Sequence, residues 1–338
     1  MLLMPYYMFF SLMLFIGTFI SLSSMNWVYI WMGLEINLLA FIPMISCSNA
    51  DQETEAAVKY FLIQAMGSGL MLMGVFSYMY YPLVMVSYNY SLWFFMLGLF
   101  VKMGVFPCYF WFPQVMFSLS WLSSLVLATW QKMASLFLFS GVMMFSELGF
   151  IMILVSLNSL VGGFGGLNQT YLRPLLAYSS IGHMGWMLSI GVLSVNMLLL
   201  YYLVYVLVSI PLFLIFMVMS SKSNQMSSIS GLSFGFMLCV MILLLSLGGL
   251  PPLLGFLPKW LVIQVMMSNM VVIPLTLLII GSLMNLFYYL AILYCQGFAS
   301  LQGLLILTSS KYFSWVLWSL YLMSGMMVLL GLGCIFFV

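Results

Sequence analysis

The sequence predicts an all-α polytopic membrane protein with about eleven transmembrane helices. Of its 338 residues, 66% are hydrophobic and only 4% are charged, whereas a soluble domain carries about 25% charged residues. A water-exposed globule is therefore excluded. Spans of about 20 residues each take up most of the chain. Only short loops remain, and no sizeable extramembrane domain fits.

A β-barrel is the other fold that satisfies backbone groups in lipid. Its strands alternate polar and apolar residues over about ten positions. In this sequence the apolar runs are continuous, as between Ile190 and Met219, and polar interruptions come at helix-length intervals. The pattern therefore favours helices.

Interruptions by Pro, Gly, Asn and charged residues divide the chain into eleven predicted helices. Each holds an apolar run long enough, or nearly long enough, to cross a bilayer. They are, in order, Tyr6–Leu22, Met25–Ile45, Ala56–Tyr80, Ser91–Phe110, Leu119–Phe145, Leu148–Gly166, Leu172–Gly191, Val195–Ser220, Phe234–Ser268, Val271–Tyr294 and Phe313–Val338.

Two of these helices, the fourth and the ninth, are predicted to be discontinuous. The fourth contains Pro107, and the ninth is too long for one plain span and contains Pro251, Pro252 and Pro258. Paired Pro- and Gly-interrupted segments in two halves of a chain indicate an inverted-repeat transporter fold. We expect one membrane domain, residues 1–338. Within it, repeat one covers about 1–146, repeat two about 147–296, and the C-terminal helix about 313–338.

Five titratable residues lie inside apolar segments. Four carry charge, and a central charge costs about 2.5–3.5 kcal/mol on insertion scales. Such a cost persists only if the groups face a paired or hydrated interior, so the set predicts a proton or ion pathway. The five candidate residues are Glu35, Lys102, Lys132, His183 and Lys259.

Structural roles without proton transfer are alternatives for single members of this set. A lysine near a helix end extends its amine to the interface in many proteins, which is an alternative for Lys102 and for Lys259. His183 alone also fits a hydrogen-bonded core residue. Glu35 and Lys132 are too central for these explanations.

The residues also suggest a mechanism. Separating Glu35 from Lys102 would release a proton toward Lys132, and His183 would relay protons toward Lys259.

Loop cations and cysteines add weaker information. The cations Lys59, Arg173, Lys222 and Lys311 all fall in even-numbered connections, which predicts an N-terminus on the positive, inner side. The five cysteines are scattered without a C-x-x-C pair, so no disulfide frame, iron–sulfur cluster or zinc site is predicted. A net charge of +2 points to no nucleic-acid partner.

Several motifs resemble the NADH dehydrogenase subunit 2 family, antiporter-like membrane subunits of respiratory complex I. The sequence resembles the animal, arthropod-like mitochondrial members. The motifs keep the family's order from the second helix to the ninth. They are WMGLEINLLAFIP, KYFLIQA, VKMGVFPCYFWFP, TWQKMA, GGLNQTYLRPLLAYSSIGHMGWM and SLGGLPPLLGFLPKW.

The resemblance implies a core subunit of NADH:ubiquinone oxidoreductase that contributes to proton translocation. It implies eleven helices in the mitochondrial inner membrane, with the N-terminus on the matrix side and the C-terminus in the intermembrane space. NADH, FMN, iron–sulfur clusters and ubiquinone would be bound by other subunits, with no cofactor or metal in this chain. Expected partners are the other membrane-arm and accessory subunits, and lipids such as cardiolipin.

Two other functions stay open at this point. A stand-alone cation/proton antiporter shares the Glu/Lys and broken-helix pattern. The chain is short for that role, however, and no further intramembrane carboxylate offers a sodium site. A structural anchor is the third possibility, but an anchor gains nothing from central charges such as Glu35 and Lys132.

Overall fold

A computed structural model describes residues 5–46, 51–80, 85–143, 148–219 and 234–303. Thirteen α-helices occupy these ranges. They are α1 (Pro5–Ser23), α2 (Trp27–Ser46), α3 (Asp51–Tyr80), α4 (Met85–Met103), α5 (Trp111–Ser118), α6 (Trp121–Ala128), α7 (Trp130–Met143), α8 (Leu148–Leu167), α9 (Leu172–Leu193), α10 (Val195–Met219), α11 (Phe234–Gly248), α12 (Phe256–Ser268) and α13 (Val272–Gly303).

Membrane-spanning length is common among these helices. Within the described ranges, seven segments are long and apolar enough to cross a membrane, and one of them, Trp121–Met143, combines α6 and α7. Three shorter apolar helices, Ser91–Met103, Leu238–Gly248 and Phe256–Ser268, flank the two interruptions predicted from the sequence. The eleventh predicted helix, Phe313–Val338, lies outside the described residues.

The largest departures from the predicted helices are in the fifth and the tenth. The fifth predicted helix, Leu119–Phe145, is interrupted at Thr129, where φ is −110° and ψ is −78°. The Thr129 hydroxyl donates a hydrogen bond to the Leu125 carbonyl (2.7 Å). Hydrogen bonds from a threonine hydroxyl to the carbonyl four residues earlier often bend helices. The tenth, predicted to end at Tyr294, continues to Gly303 in α13.

The chain forms two compact units, Met1–Val155 and Ser156–Val338. In the first unit, α3 packs against α2, α4 and α5, while α7 packs against α1, α4 and α6. Small residues let α3 and α4 approach closely: a Cβ on Gly98 would lie 2.7 Å from the Gly67 carbonyl oxygen. Close backbone contact through glycine is typical of membrane helix pairs.

In the second unit, α9 packs against α10, α12 and α13, and α11 packs against α10 and α13. A Cβ on Gly162 would lie 2.5 Å from the Gly182 amide nitrogen, so α8 and α9 also meet through glycine. This packing brings the residues of the second interruption next to the middle of α9.

Helix boundaries in the two units share one sequence offset. The starts of α2 and α9, Trp27 and Leu172, are 145 residues apart. The same separation holds for the ends of α4 and α11 and for the starts of α5 and α12. The shared offset supports a repeat of about five helices, and its boundaries stay a prediction.

Candidate functional site

The first interruption begins where α4 ends. Gly104 has φ +67°, which strains any residue with a Cβ. Its amide donates to the Val101 carbonyl (3.2 Å), and the Val105 amide donates to the Phe100 carbonyl (3.1 Å). These two bonds form a Schellman motif, which terminates the helix. Pro107 lies in the non-helical segment that follows and precedes α5.

Side chains of neighbouring helices donate hydrogen bonds to two carbonyls at this helix end. Gln64 of α3 donates its amide to the Lys102 carbonyl (3.1 Å). Trp111 of α5 donates its ring N–H to the Val101 carbonyl (3.1 Å). The last carbonyls of a helix lack intrahelical partners, and here two of them accept hydrogen bonds from neutral side chains of other helices.

The Lys102 amine is buried and makes no hydrogen bond within the ranges that the structure describes. Beside it is a cavity of about 20 Å³, room for a water molecule. Lys132 lines the same cavity. The two lysines predicted from the sequence are therefore brought together. The other polar side chains of the lining are Asn37, Tyr60, Gln64, Gln131 and Ser135.

Glu35 lies half-buried on α2. Its carboxylate interacts electrostatically with Lys102 and with the Tyr60 hydroxyl. The predicted pair of Glu35 and Lys102 therefore acts through space, since the Lys102 amine has no hydrogen-bond partner among the described residues. Such a pair responds to small movements because its Coulomb energy changes with distance and with local polarity.

A hydrogen-bonded chain of three side chains crosses the cavity. The Tyr60 hydroxyl donates to Gln131 Oε1 (3.4 Å), and Gln131 Nε2 donates to Asn37 Oδ1 (3.0 Å). The sequence analysis missed these residues because uncharged side chains carry no insertion penalty large enough to attract notice. One signal was available: Tyr60 and Gln64 are four residues apart and share a face of α3.

Lys132 lies in the first turn of α7, just after the interruption at Thr129. It is 3% exposed, and its Nζ lies 4.0 Å from the centre of the Phe112 ring. An aromatic face stabilises a buried ammonium by a cation–π interaction. Phe112 belongs to α5, so the first interruption also positions the second lysine.

The second interruption repeats the backbone of the first. Gly249 has φ +82°, its amide donates to the Ser246 carbonyl (3.0 Å), and the Leu250 amide donates to the Leu245 carbonyl (3.3 Å). Pro251 and Pro252 follow in the non-helical segment. Pro258, predicted as part of the break, lies in the first turn of α12. Proline is tolerated there because a first-turn amide needs no intrahelical acceptor.

Lys259 closes this second interruption. Its buried amine donates to the Gly248 carbonyl (2.7 Å) and, more weakly, to the Leu247 carbonyl (3.5 Å). A cation at a helix C-terminus is favoured by the partial negative charge of the last carbonyls. The amine therefore caps α11 from a buried position.

His183 lies in the middle of α9 and is 6% exposed. Its Nδ1 shares a hydrogen bond with the Tyr201 hydroxyl (3.1 Å), and the Tyr205 ring lies beside it. A cavity of about 10 Å³ is lined by His183 together with Ser246, Leu247 and Pro258. The structure thus brings His183 next to the residues that surround Lys259.

Comparisons with known proteins identify one family. Residues 24–285 match the family described as NADH:quinone oxidoreductase/Mrp antiporter, transmembrane. NADH-ubiquinone oxidoreductase chain 2 of Lumbricus terrestris is 43% identical over 282 residues, covering 83% of each chain. Chain 2 of Locusta migratoria is 40% identical over 289 residues, covering 82% of each.

Solved structures agree in fold. A chain of respiratory complex I from Thermus thermophilus with bound aureothin is 25% identical and has a TM-score of 0.83, covering 97% of this chain and 78% of that one. A chain of the Mrp complex from Dietzia sp. DQ12-45-1b is 14% identical with a TM-score of 0.80, covering 97% and 75%. The predicted all-α, antiporter-like fold is confirmed.

Proposed function

Since the chain belongs to the NADH:quinone oxidoreductase/Mrp antiporter transmembrane family, we propose that it is a proton-translocating core membrane subunit of a mitochondrial NADH:ubiquinone oxidoreductase. Relatives named NADH-ubiquinone oxidoreductase chain 2, 38% to 43% identical over more than four fifths of the chain, support this function. Its partners are then the other subunits of that complex, and its place is the mitochondrial inner membrane.

The observation that carries the mechanism is the buried amine of Lys102, which has no hydrogen-bond partner among the described residues and lies beside a cavity that Lys132 also lines. Desolvation penalises a charged amine, and a nearby carboxylate stabilises it. Movement of Glu35 away from Lys102 therefore releases a proton into the cavity. A water molecule there, together with the Tyr60–Gln131–Asn37 chain, offers a route to Lys132.

The second unit handles protons with different groups. His183 exchanges a proton with Tyr201 or with water in its cavity, and Lys259 holds a proton against two helix carbonyls. Movement of α12 relative to α11 changes how well those carbonyls stabilise the ammonium. Glu35, Lys102, Lys132, His183 and Lys259 are thus proposed as the proton-path residues of this chain.

Redox chemistry is proposed to occur on other subunits, which would bind NADH, FMN, iron–sulfur clusters and ubiquinone. One histidine and five scattered cysteines give this chain few ligands for a cluster or haem. Replacing Cys108 and Cys239 with serine is expected to leave the iron and flavin content of the complex unchanged. A loss of either would contradict this assignment.

Orientation and lipid contacts are also proposed. Cations in the even-numbered connections support an N-terminus on the matrix side and a C-terminus in the intermembrane space. Lys59 contributes little to this argument because it pairs with Glu55 at 2.6 Å. A membrane-impermeant lysine reagent should reach Lys222 and Lys311 only from the matrix side. An anionic lipid such as cardiolipin fits cations at that surface.

The proposed function is tested by Glu35→Gln in the assembled complex, reconstituted into sealed vesicles. We expect fewer protons moved per NADH oxidised, because a neutral amide cannot modulate the Lys102 ammonium. Glu55→Gln is the matched control, since Glu55 is exposed and pairs only at the surface with Lys59. An unchanged ratio in Glu35→Gln would contradict the function.

The stand-alone antiporter is the competing function. Native electrophoresis of mildly solubilised membranes separates the two by size. Migration in a very large band that oxidises NADH supports the proposed subunit. Migration alone, with cation flux in reconstituted vesicles, would instead support the antiporter.

A further inference from the structure

The buried face of α13, which packs against the rest of the second unit, carries three polar side chains. Asn285, Tyr288 and Tyr289 occupy positions i, i+3 and i+4, so they share that face. Asn285 and Tyr288 are each 4% exposed and Tyr289 is fully buried. None of the three was among the residues predicted from the sequence, and the proton path described above does not use them.

Three polar atoms on this face have unmet hydrogen-bonding capacity. In the described parts of the chain, Asn285 Oδ1 and the hydroxyls of Tyr288 and Tyr289 are buried and reach no partner with full hydrogen-bond geometry. The two tyrosine hydroxyls interact with each other and with the Ser179 hydroxyl. Buried polar atoms are nearly always satisfied by protein or by ordered water. Three such atoms within about one helical turn therefore indicate a position for ordered water.

Glycines on the neighbouring helices make room for this face. A Cβ on Gly182, beside His183 in α9, would lie 2.5 Å from Asn285 Nδ2. A Cβ on Gly166 in α8 would lie 2.6 Å from the Tyr288 ring. Any larger residue at either position would displace the polar side chains, so the close approach depends on glycine.

The polar face also reaches the groups already assigned to the second unit. A Cβ on Gly248 would lie 3.6 Å from the Tyr289 ring. The Gly248 carbonyl accepts the hydrogen bond from the Lys259 amine. Tyr289 interacts electrostatically with Tyr205, whose ring lies beside His183. Tyr289 therefore has one neighbour that contacts His183, which is Tyr205, and another that binds Lys259, which is Gly248.

We infer that Asn285, Tyr288 and Tyr289 form a water-bearing relay that carries protons between the His183 cavity and the Lys259 end of α11. This inference rests on the proposed function and adds α13 to its path. In each step a tyrosine or water oxygen accepts one proton and passes its own to the next oxygen, while Asn285 Oδ1 accepts a hydrogen bond from the water and holds it in place. One proton moves in total, nothing is oxidised or reduced, and the hydroxyls then rotate back.

The test is the double variant Tyr288→Phe with Tyr289→Phe in the whole complex in sealed vesicles. Both rings stay, and only the two relay oxygens are lost. The relay step is expected to slow by ~100-fold or more. This subunit's share of the protons per NADH is then lost, and the remaining flux falls more steeply as pH rises, because fewer protons are supplied by solvent. Uncoupled NADH oxidation and the KM for NADH stay at wild-type values.

Tyr294→Phe is the matched control, because Tyr294 lies on the same helix and is 67% exposed. We expect it to pump like the wild type. Should the double variant fail to assemble on native gels, Tyr289→Phe alone is measured, since its ring still packs against Gly248. A wild-type proton ratio with a wild-type pH profile in the assembled variant overturns the inference.

The outcome also separates this inference from the proposed function. Loss of pumping in Glu35→Gln with wild-type pumping in the tyrosine variant overturns the α13 relay alone. Wild-type pumping in both overturns the relay and the proposed function together. Loss in both variants, with wild-type behaviour of Tyr294→Phe, supports the relay.

Discussion

The two interrupted segments have nearly the same backbone but use their lysines differently. In both, a glycine with positive φ ends a helix in a Schellman motif, and a new helix begins eight residues after the last helical residue. In the first segment Lys102 precedes the glycine and its amine makes no hydrogen bond among the described residues. In the second, Lys259 follows the glycine and its amine caps the preceding helix.

The 145-residue offset makes the difference explicit. Lys102 corresponds to Leu247 in the second unit, and Lys259 corresponds to Gln114 in the first. The two lysines are therefore not equivalent positions of a repeat, although both neighbour Gly and Pro. Each unit contains a helix that ends inside the protein. The surrounding side chains determine whether a lysine amine binds the carbonyls of that helix end, as Lys259 does, or lines a cavity, as Lys102 does.

The largest stability effect that this comparison predicts is for Lys259→Met. Loss of the amine leaves two buried carbonyls without their donor, at about 1–3 kcal/mol for each unsatisfied group. Lys102→Met removes an amine that satisfies no such acceptor, so its stability should match the wild type. Dissociation of the subunit on native gels after stepwise heating measures both, with Lys59→Met as the exposed control. Equal stability of the Lys102 and Lys259 variants would contradict the comparison.

A smaller effect is expected for Gln131→Leu, which sharpens the account of the first segment. It removes both side-chain hydrogen bonds of the Tyr60–Gln131–Asn37 chain, each worth about 0.5–1.5 kcal/mol. Proton pumping should slow because the route across the cavity loses its centre. Gln114→Leu is the control, since Gln114 is exposed on α5. Wild-type pumping by the Gln131 variant would exclude that route.

The smallest stability effect is expected for alanine at the two glycines with positive φ. Each substitution should cost about 1–2 kcal/mol, because L-residues disfavour this conformation. The Cβ at position 249 would lie 2.8 Å from the Lys259 amine, whereas the Cβ at 104 would lie 3.0 Å from Phe112 Cβ. Gly249→Ala should therefore disturb pumping directly through Lys259. The two variants are expected to have similar heat stability, with slower proton pumping in Gly249→Ala than in Gly104→Ala. Equal pumping by the two variants would argue against a role of the Lys259 cap.

Much of the fold could be predicted from the sequence because lipid imposes simple rules. Continuous apolar runs predicted the helices, and Pro107, Pro251 and Pro252 predicted where two of them are interrupted. The interruption at Thr129 was missed because one β-branched residue in an apolar run has no strong helix-breaking signal. Its effect depends on a local hydrogen bond to Leu125, which the sequence pattern does not reveal.

Of the side chains in the candidate site, the sequence could predict mainly the charged ones. Insertion cost identifies Glu35, Lys102 and Lys132 because a buried charge demands an explanation. Neutral groups such as Gln131 and Tyr289 are cheap to bury when paired, so only the packing of helices distant in sequence reveals them. The geometry of the Glu35–Lys102 interaction likewise depends on side-chain placement, and in the structure the two groups interact through space.

The most direct test of the central claim is the proton-to-NADH ratio of complexes that carry Lys102→Met. The account predicts normal assembly, because this amine satisfies no acceptor in the described ranges, together with loss of this subunit's proton translocation. Lys59→Met, at an exposed surface pair, should keep the wild-type ratio. An unchanged ratio in a fully assembled Lys102→Met complex would show that the first interrupted segment does not conduct protons.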